Sequence, residues 1–495
     1  AVIFLPVVLP LLSAAILMML HARPRAQRVA SLAAHGAFLA VAVLLFARVQ
    51  GEGPIAAAVG GWPPPFGVSF LADALSATMV LLTAVVAFPV AVFALALADG
   101  RWERMGYHPL VQVMLAGVSG AFLTTDLFNL FVWFEVTLIS SFVLLTLGNR
   151  PAQIQGGFKY VVLNLLSSVV FLCAAGLLYG VAGTLNLADL AQRRIPAEDL
   201  WLIGLVGVLF LGTFSIKSAL FPLFFWLPAA YPTPAAPVAA LFAGVLTKVG
   251  VYAIVRTGSV YFADATAVWT PAVLALSVPT MLVGVFGAIV QTDWRRILAF
   301  HSVSQVGYMA AAAGIGGKAG MMAAVLFMVH HGLVKSALFV AAGAGWRLGG
   351  SYRLDRLGGF ARSHGWYAAL FLTLALSLAG FPPSSGFAAK LAAILAALQG
   401  GYGWVAGTMV LTGLFTLYSM VKIWNEAFWK PAPEEMRVRT LGAGERFLLH
   451  LPLAWFAAAA LAVGLGWSPA LASSAKAGMQ DRDGYVRAVL GDEVP

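Results

Sequence analysis

The 495-residue chain has little charge and almost no cysteine. Asp, Glu, Lys and Arg together make up 10% of it, where a soluble globular protein carries roughly 25%. Cys173 is the single cysteine. That excludes an intramolecular disulfide and a cysteine metal site. Inside its apolar run it is expected as a small core residue. Soluble catalytic signatures are missing as well. There is no phosphate-binding GxxxxGK followed by Ser or Thr, no HExxH, no CxxC, and no GxSxG flanked by strand and helix. Gly-rich stretches such as GIGGKAG read as turns, and ATP hydrolysis by this chain alone is not expected.

What is present is apolar sequence in long runs. Hydrophobic residues make up 61% of the chain, and 51 Gly and 25 Pro punctuate them without forming low-complexity tracts. A membrane-spanning helix needs about 20 mostly apolar residues, and such helices tolerate Gly and Pro. Fourteen segments fit: 1–20, 29–48, 70–98, 109–125, 128–148, 160–182, 201–229, 235–258, 268–291, 296–314, 320–344, 366–398, 405–428 and 448–470. The predicted fold is therefore an all-α polytopic membrane protein. The first run precedes its basic residues Arg23, Arg25 and Arg28. A cleaved signal carries its charges before its apolar core, so a retained first helix is expected.

The formal charge of +10 could suggest nucleic acid, but its distribution does not. Seventeen Lys and Arg fall in one set of alternate loops, eight in the other set and the tail, and five inside the apolar segments. Such asymmetry orients a membrane protein, and with fourteen helices it puts both termini outside the cytoplasm.

A charge at the bilayer centre costs roughly 2.5–3.5 kcal/mol on insertion scales, so an ionisable residue there is a functional candidate with a partner nearby. Glu135 stands mid-segment in FNLFVWFEVTLISSF. Burial disfavours the charged form of such a group, so it can carry a proton; a structural ion pair is the competing reading. Lys217, in FSIKSALFPLFFWLP, is followed by Pro222 and Pro228. A helix broken at membrane depth survives only where protein or a cavity covers it. Lys248 lies in AALFAGVLTKVGVYAIV beside Thr247, with snorkelling to an interface as the alternative.

His331 and Lys335 share a face at i, i+4 spacing in FMVHHGLVKSALFV, with His330 a quarter-turn away. Histidine titrates near physiological pH and suits a proton relay. A metal site would need convergent ligands, and none accompany this pair. Lys390 follows Gly380, Pro382, Pro383 and Gly386 in LSLAGFPPSSGFAAKLAAIL, a second lysine beside a broken helix. Paired broken segments in two halves point to an inverted-repeat transporter.

The remaining charges read more plainly. Asp73 is expected to cap the third segment, and Asp126 to cap the fifth rather than carry protons. Lys422 and Glu426 read as an interfacial i, i+4 ion pair. His301 and Ser302 open the tenth segment beside Arg295 and Arg296, which leaves proton uptake from the cytoplasm open at that point.

Taken together, FVWFEVTLIS, FSIKSALFPLFFWLP, AALFAGVLTKVGVY, HSVSQVGYM, HHGLVKSALF and AGFPPSSGFAAKL resemble the antiporter-like subunits shared by respiratory complex I and the Mrp-type multisubunit cation/proton antiporters. Within that family, GLLYGVAGTLNLADLA, VKIWNEAFWK and the chain length resemble the D-type Mrp member. Lys390 stands where one complex I relative carries glutamate.

The resemblance implies fourteen helices, with helices 7 and 12 broken. It implies N-terminal helices in 1–108, inverted five-helix repeats in 109–258 and 268–428, and a last helix and tail in 429–495. It implies that Glu135 pairs with Lys217, that Lys248 bridges, that His331 and Lys335 relay, and that Lys390 ends the second half-channel. The expected setting is a bacterial cell membrane, in complex with Mrp subunits of the A, B, C, E, F and G types, exchanging protons for Na⁺ without a cofactor or resident metal. A redox-coupled proton-pumping component of a complex I-like or membrane hydrogenase assembly, and a non-transporting scaffold, are the alternatives.

Overall fold

The computed structural model describes residues 2–97, 100–193, 200–262, 266–436, 439–467 and 482–491. Arg194, Arg437 and Lys476, which enter the loop-charge reading, lie outside the described residues. In a bilayer the backbone must satisfy its own hydrogen bonds, and a helix does so within one segment. The apolar runs accordingly become α1 (Leu5–Met19), α2 (Pro24–Glu52), α3 (Ala74–Ala96), α5 (Tyr107–Leu123), α6 (Leu127–Thr146), α7 (Pro151–Ala182) and α9 (Leu200–Ser218). Short elements interleave: β1 (Ile55–Ala58), β2 (Ser69–Ala72), α4 (Gly100–Arg104), α8 (Leu187–Gln192) and α10 (Trp226–Ala230).

The rest of the chain follows the same plan. A helix over Ala236–Val260 comprises α11 (Ala236–Leu241), a π-helical turn (Phe242–Leu246) and α12 (Thr247–Val260). Then come α13 (Thr266–Ile289), α14 (Trp294–Ile315), α15 (Gly317–Gly349), the short α16 (Phe360–Ser363), α17 (Gly365–Ala379), α18 (Ser385–Gln399), α19 (Gly403–Ile423), α20 (Ala443–Ala462) and α21 (Arg482–Leu490).

Among the described residues, eleven helices are long and apolar enough to cross a membrane, and α5, α17 and α18 are shorter apolar helices. Fourteen crossings therefore remain an expectation. Both expected breaks are present. The seventh segment ends as α9 at Ser218 and resumes at Trp226, and the twelfth divides into α17 and α18 around Gly380–Ser384. Three helices outrun their apolar cores. α2, α7 and α15 have 29, 32 and 33 residues, because polar ends such as the exposed Arg25 and Glu52 of α2 can continue a helix into water.

Four features depart from the expectations. β1 and β2 pair antiparallel, Ile55 opposite Ala72, so β1 forms in a stretch read as loop and residues 70–72, read as the start of the third spanning segment, are strand instead. α21 forms in the tail and packs on α8 and the hairpin. Cys173 is exposed rather than packed. Lys422 does not pair with Glu426: it donates to the Ile289 and Gln291 carbonyls at 2.9 and 2.8 Å, while Glu426 pairs with Lys430. A freed helix end outcompeted the i, i+4 partner.

The centre of the bundle is the Ala236–Val260 helix together with α14 and α15, buried on nearly all sides. Around them α2, α7, α13, α19 and α20 keep outward apolar faces, as helices facing lipid do.

Candidate functional site

In the first half, α6 carries Glu135 near its midpoint, half-buried. Ser168 of α7 donates a hydrogen bond to its carboxylate. Lys217 is the penultimate residue of α9, directly before the break. Its ammonium stands 5.3 Å from the centre of the Phe134 ring. A cavity of about 30 Å³ is lined by Lys217, Phe134, Thr137, Tyr160 and Asn164, room enough for a water molecule. Among the described residues no ion pair within 4 Å joins Glu135 to Lys217. The two charges act on each other across the site rather than by direct contact.

The break itself is well supported. Ala219 takes a left-handed φ of 63°. Pro222 has no N–H to continue a helix. The Phe221 N–H instead donates to Thr280 Oγ1 of α13 at 2.8 Å, and the Trp226 indole returns to the Ile216 carbonyl at 2.9 Å.

In the centre, Lys248 is fully buried and donates to the Ala243 carbonyl inside the π-helical turn. Such turns free a backbone acceptor and recur at functional sites. Two close approaches hold this helix. A Cβ on Gly250 would lie 2.9 Å from the Lys217 carbonyl carbon, and one on Gly332 would lie 3.1 Å from the Gly244 carbonyl oxygen. Glycine thus lets α12 touch the end of α9, and α15 cross the π-helical turn. The second crossing brings Lys248 within electrostatic reach of His331 and Lys335.

In the second half, Lys335 donates to the Leu298 carbonyl of α14 at 2.6 Å. Lys390 donates to the Ala379 carbonyl, freed at the break, at 2.8 Å and stands 5.8 Å from the Tyr308 ring centre. Leu298, His301, Gln305 and Tyr308 are spaced three, four and three residues apart, which makes one stripe of α14. His301 and Gln305 lie on it between the two lysines, fully buried, their side-chain nitrogens and oxygen without a protein partner. His331 is buried in the same state. His330 is not turned away from the path: its Nδ1 lies 2.9 Å from Ser385 Oγ at the start of α18.

His301 is not at a helix opening. α14 begins at Trp294, so His301 lies two turns inside and is no surface uptake point. Asp126 caps α6, accepting from the Asn129 N–H at 2.8 Å. Asp73 caps α3 as expected but also clasps Arg256 at 2.6 and 2.9 Å, with Tyr485 of α21 5.1 Å from the guanidinium. Ser168, Gln305, Tyr308, Ser385 and the Asp73–Arg256 pair are the residues that sequence reasoning passed over. For Gln305 and Tyr308 a signal existed, since HSVSQVGYM shows polar residues at helical spacing.

Two lysines beside two helix breaks, bridged by buried histidines and a third and fourth lysine, make a pattern that can be compared with known proteins. Residues 124–416 match the family described as NADH:quinone oxidoreductase/Mrp antiporter, TM. The chain belongs to that family. Its relatives include the D subunit of the Na(+)/H(+) antiporter of Alkalihalophilus pseudofirmus, 40% identical over 91% of this chain and 92% of that one. The protein of the same name from Bacillus subtilis is 34% identical over 99% of both. Among solved structures, a chain of the Mrp complex from Dietzia sp. DQ12-45-1b superposes with a TM-score of 0.92 at 33% identity, covering 99% of each chain. A chain of the archaeal membrane-bound sulfane sulfur reductase gives 0.90 at 26% identity, covering 99% of this chain and 100% of that one.

For a member of this antiporter family, the matched region has a clear meaning. It runs from the cap of α6 to the middle of α19 and so includes Glu135, Lys217, Lys248, His331, Lys335 and Lys390. The fold is that of a multi-pass membrane protein.

Proposed function

We propose that this chain is the proton-translocating, D-type component of a multisubunit Na⁺/H⁺ antiporter, one part of a transporter rather than an enzyme. One observation carries the reading: buried ionisable side chains run in order from Glu135 through Lys217, Lys248, His331 and Lys335 to Lys390, each lysine held at a helix break, a π-helical turn or a neighbouring backbone carbonyl. His330 and His301 belong to the same path. Asp126, as a cap, stands at its margin. The likeness to proteins named as the D subunit of a Na(+)/H(+) antiporter, and to a chain of an Mrp complex, supports partners of the A, B, C, E, F and G types.

The geometry suggests how a proton advances. Glu135 attracts the ammonium of Lys217 across the site. When α6 or α7 shifts, that attraction weakens and the proton passes on toward Lys248. Buried polar atoms need partners, and water supplies them where protein does not; at His331, His301 and Gln305 water completes the conducting line to Lys390. Each charge moved through 100 mV is worth about 2.3 kcal/mol, more than the roughly 1.4 kcal/mol of one pKa unit.

The reading includes inverted repeats at 109–258 and 268–428. It also places both termini outside the cytoplasm, supported by the loop-charge asymmetry. Among the described residues the path holds no compact carboxylate cluster of the kind that would bind sodium. The likeness to a chain of a respiratory reductase at a TM-score of 0.90 favours, as a second reading, coupling of the same path to redox chemistry. Reconstituting the complete complex in vesicles separates the two: sodium-driven proton flux with no electron donor present is expected, and flux that requires a reductant would overturn the antiport reading.

A further inference from the structure

The end of the bundle that carries the basic loops also holds a cavity the proton path does not use. Its volume is about 460 Å³, and Arg101, Arg150, Arg295 and Arg347 line it, with no carboxylate among the described lining residues. A pocket of roughly 300–1,000 Å³ is the size that holds a small molecule or headgroup.

Three spanning helices begin at this cavity. Arg150 and Gln153 come from the start of α7, Ala235 and Ala236 from the start of the Ala236–Val260 helix, and Arg295 from the first turn of α14. Helix N-termini present free N–H groups and a partial positive charge, so the backbone adds to the field of the four arginines.

Arg295 is the most constrained of the four. Its guanidinium lies 3.6 Å from the centre of the Tyr352 ring, and Tyr352 stacks on Trp346 with ring centres 6.1 Å apart. Its Nη1 reaches the Pro234 carbonyl at only 3.4 Å, and its buried Nε has no hydrogen-bond partner. Arg347 pairs with Glu445 outside the cavity. Arg150 makes no ion pair among the described residues.

We propose that this cavity binds the phosphate group of an anionic lipid headgroup. Planar guanidinium forks match phosphate oxygens two at a time. Basic pockets between spanning helices favour such headgroups. Leu97, Leu144, Leu147 and Trp102 supply an apolar wall for the glycerol and first acyl carbons, which a free phosphate ion would not use.

The test is native mass spectrometry of the purified whole complex from nanodiscs containing either phosphatidylglycerol or phosphatidylcholine. Phosphatidylglycerol retention is expected to fall several-fold in Arg150→Ala and about tenfold or more in the Arg150→Ala/Arg295→Ala pair. Arg353→Ala, an exposed arginine paired with Asp355 and outside the cavity, is expected to retain lipid as the parent does. Equal retention in the double variant overturns the site. Displacement of phosphatidylglycerol by inorganic phosphate at matched concentration overturns the lipid and leaves a free-anion site. Unchanged lipid with loss of a neighbouring subunit overturns the proposal in favour of an acidic partner segment.

Discussion

Lys335 and Lys390 are tied to opposite ends of one stripe of α14: the first donates to the Leu298 carbonyl at 2.6 Å, and the second stands 5.8 Å from the Tyr308 ring centre. Ten residues of helix separate these contacts, about 15 Å at 1.5 Å per residue. Gln305 stands between them, fully buried, with no protein partner for its amide. Replacing it with leucine removes the polar atoms and keeps most of the volume. Gln305→Leu is expected to cut proton flux in vesicles about tenfold while the complex assembles normally. Unchanged flux would show that the proton does not follow this stripe.

The Ser168 hydroxyl is the one side-chain donor to Glu135 among the described residues. Hydrogen bonds to charged groups contribute roughly 1.5–3 kcal/mol, so Ser168→Ala leaves the carboxylate free to bind Lys217 more tightly. Proton release then slows, and turnover is expected to fall about tenfold or more. Ser168→Thr keeps a hydroxyl and is expected to restore part of it. Initial rates of pH-gradient collapse across the vesicle membrane measure both.

Much of this was legible in the sequence. Each lysine and histidine stood out because a charge in an apolar run is rare and costly, and the prolines beside Lys217 and Lys390 announced the breaks. What could not be read was pairing between segments. Asp73 and Arg256 are 183 residues apart, and nothing local links them. Lys422 looked paired with Glu426 by spacing, yet the carbonyls of α13's end took it. Helix phase makes His330 secondary to His331, although α18 supplies Ser385 on its side. Helix geometry is local and therefore visible; which neighbour faces which is a property of the packed bundle.

Gly244 and Gly332 sit where α15 crosses the π-helical turn. A Cβ on Gly244 would run into Ser336 Oγ and lie 2.7 Å from Val86. Overpacking a tight contact costs typically 1–3 kcal/mol. Gly244→Ala is expected to lower the unfolding temperature of the purified chain and to reduce flux, because the crossing positions Lys248 against His331. A variant with the parent's melting curve would show that the contact has slack.

Ala219 is a non-glycine residue with positive φ at the first break. The left-handed region costs an L-residue roughly 1–2 kcal/mol, and glycine avoids that. Ala219→Gly is expected to match or exceed the parent in thermal stability, and Ala219→Val to fall below it. The reverse order would mean that the break is held by side-chain packing rather than backbone conformation.

Glu103, in the short α4 before α5, accepts two hydrogen bonds from Arg28 at 2.7 Å each. Burial pulls its pKa upward, but the Arg28 hydrogen bond and charge, with help from His108, outweigh it and hold the carboxyl below its ordinary range. A carboxylate with a depressed folded value stabilises the protein above its unfolded value of roughly 4.3, and that contribution is lost as pH falls through the folded value. Glu103→Gln is expected to unfold more readily than the parent at pH 7, with the gap closing below about pH 4. Melting curves across that range check the sign.

The central claim is that protons cross through the buried series that starts at Glu135 and Lys217. Sodium-driven proton flux, measured in vesicles containing the complete complex with Glu135→Ala or Lys217→Ala in this chain, tests it most directly. The account predicts an assembled complex with flux at background in both variants. An assembled complex that still exchanges protons for sodium at the parent's rate in either variant contradicts it.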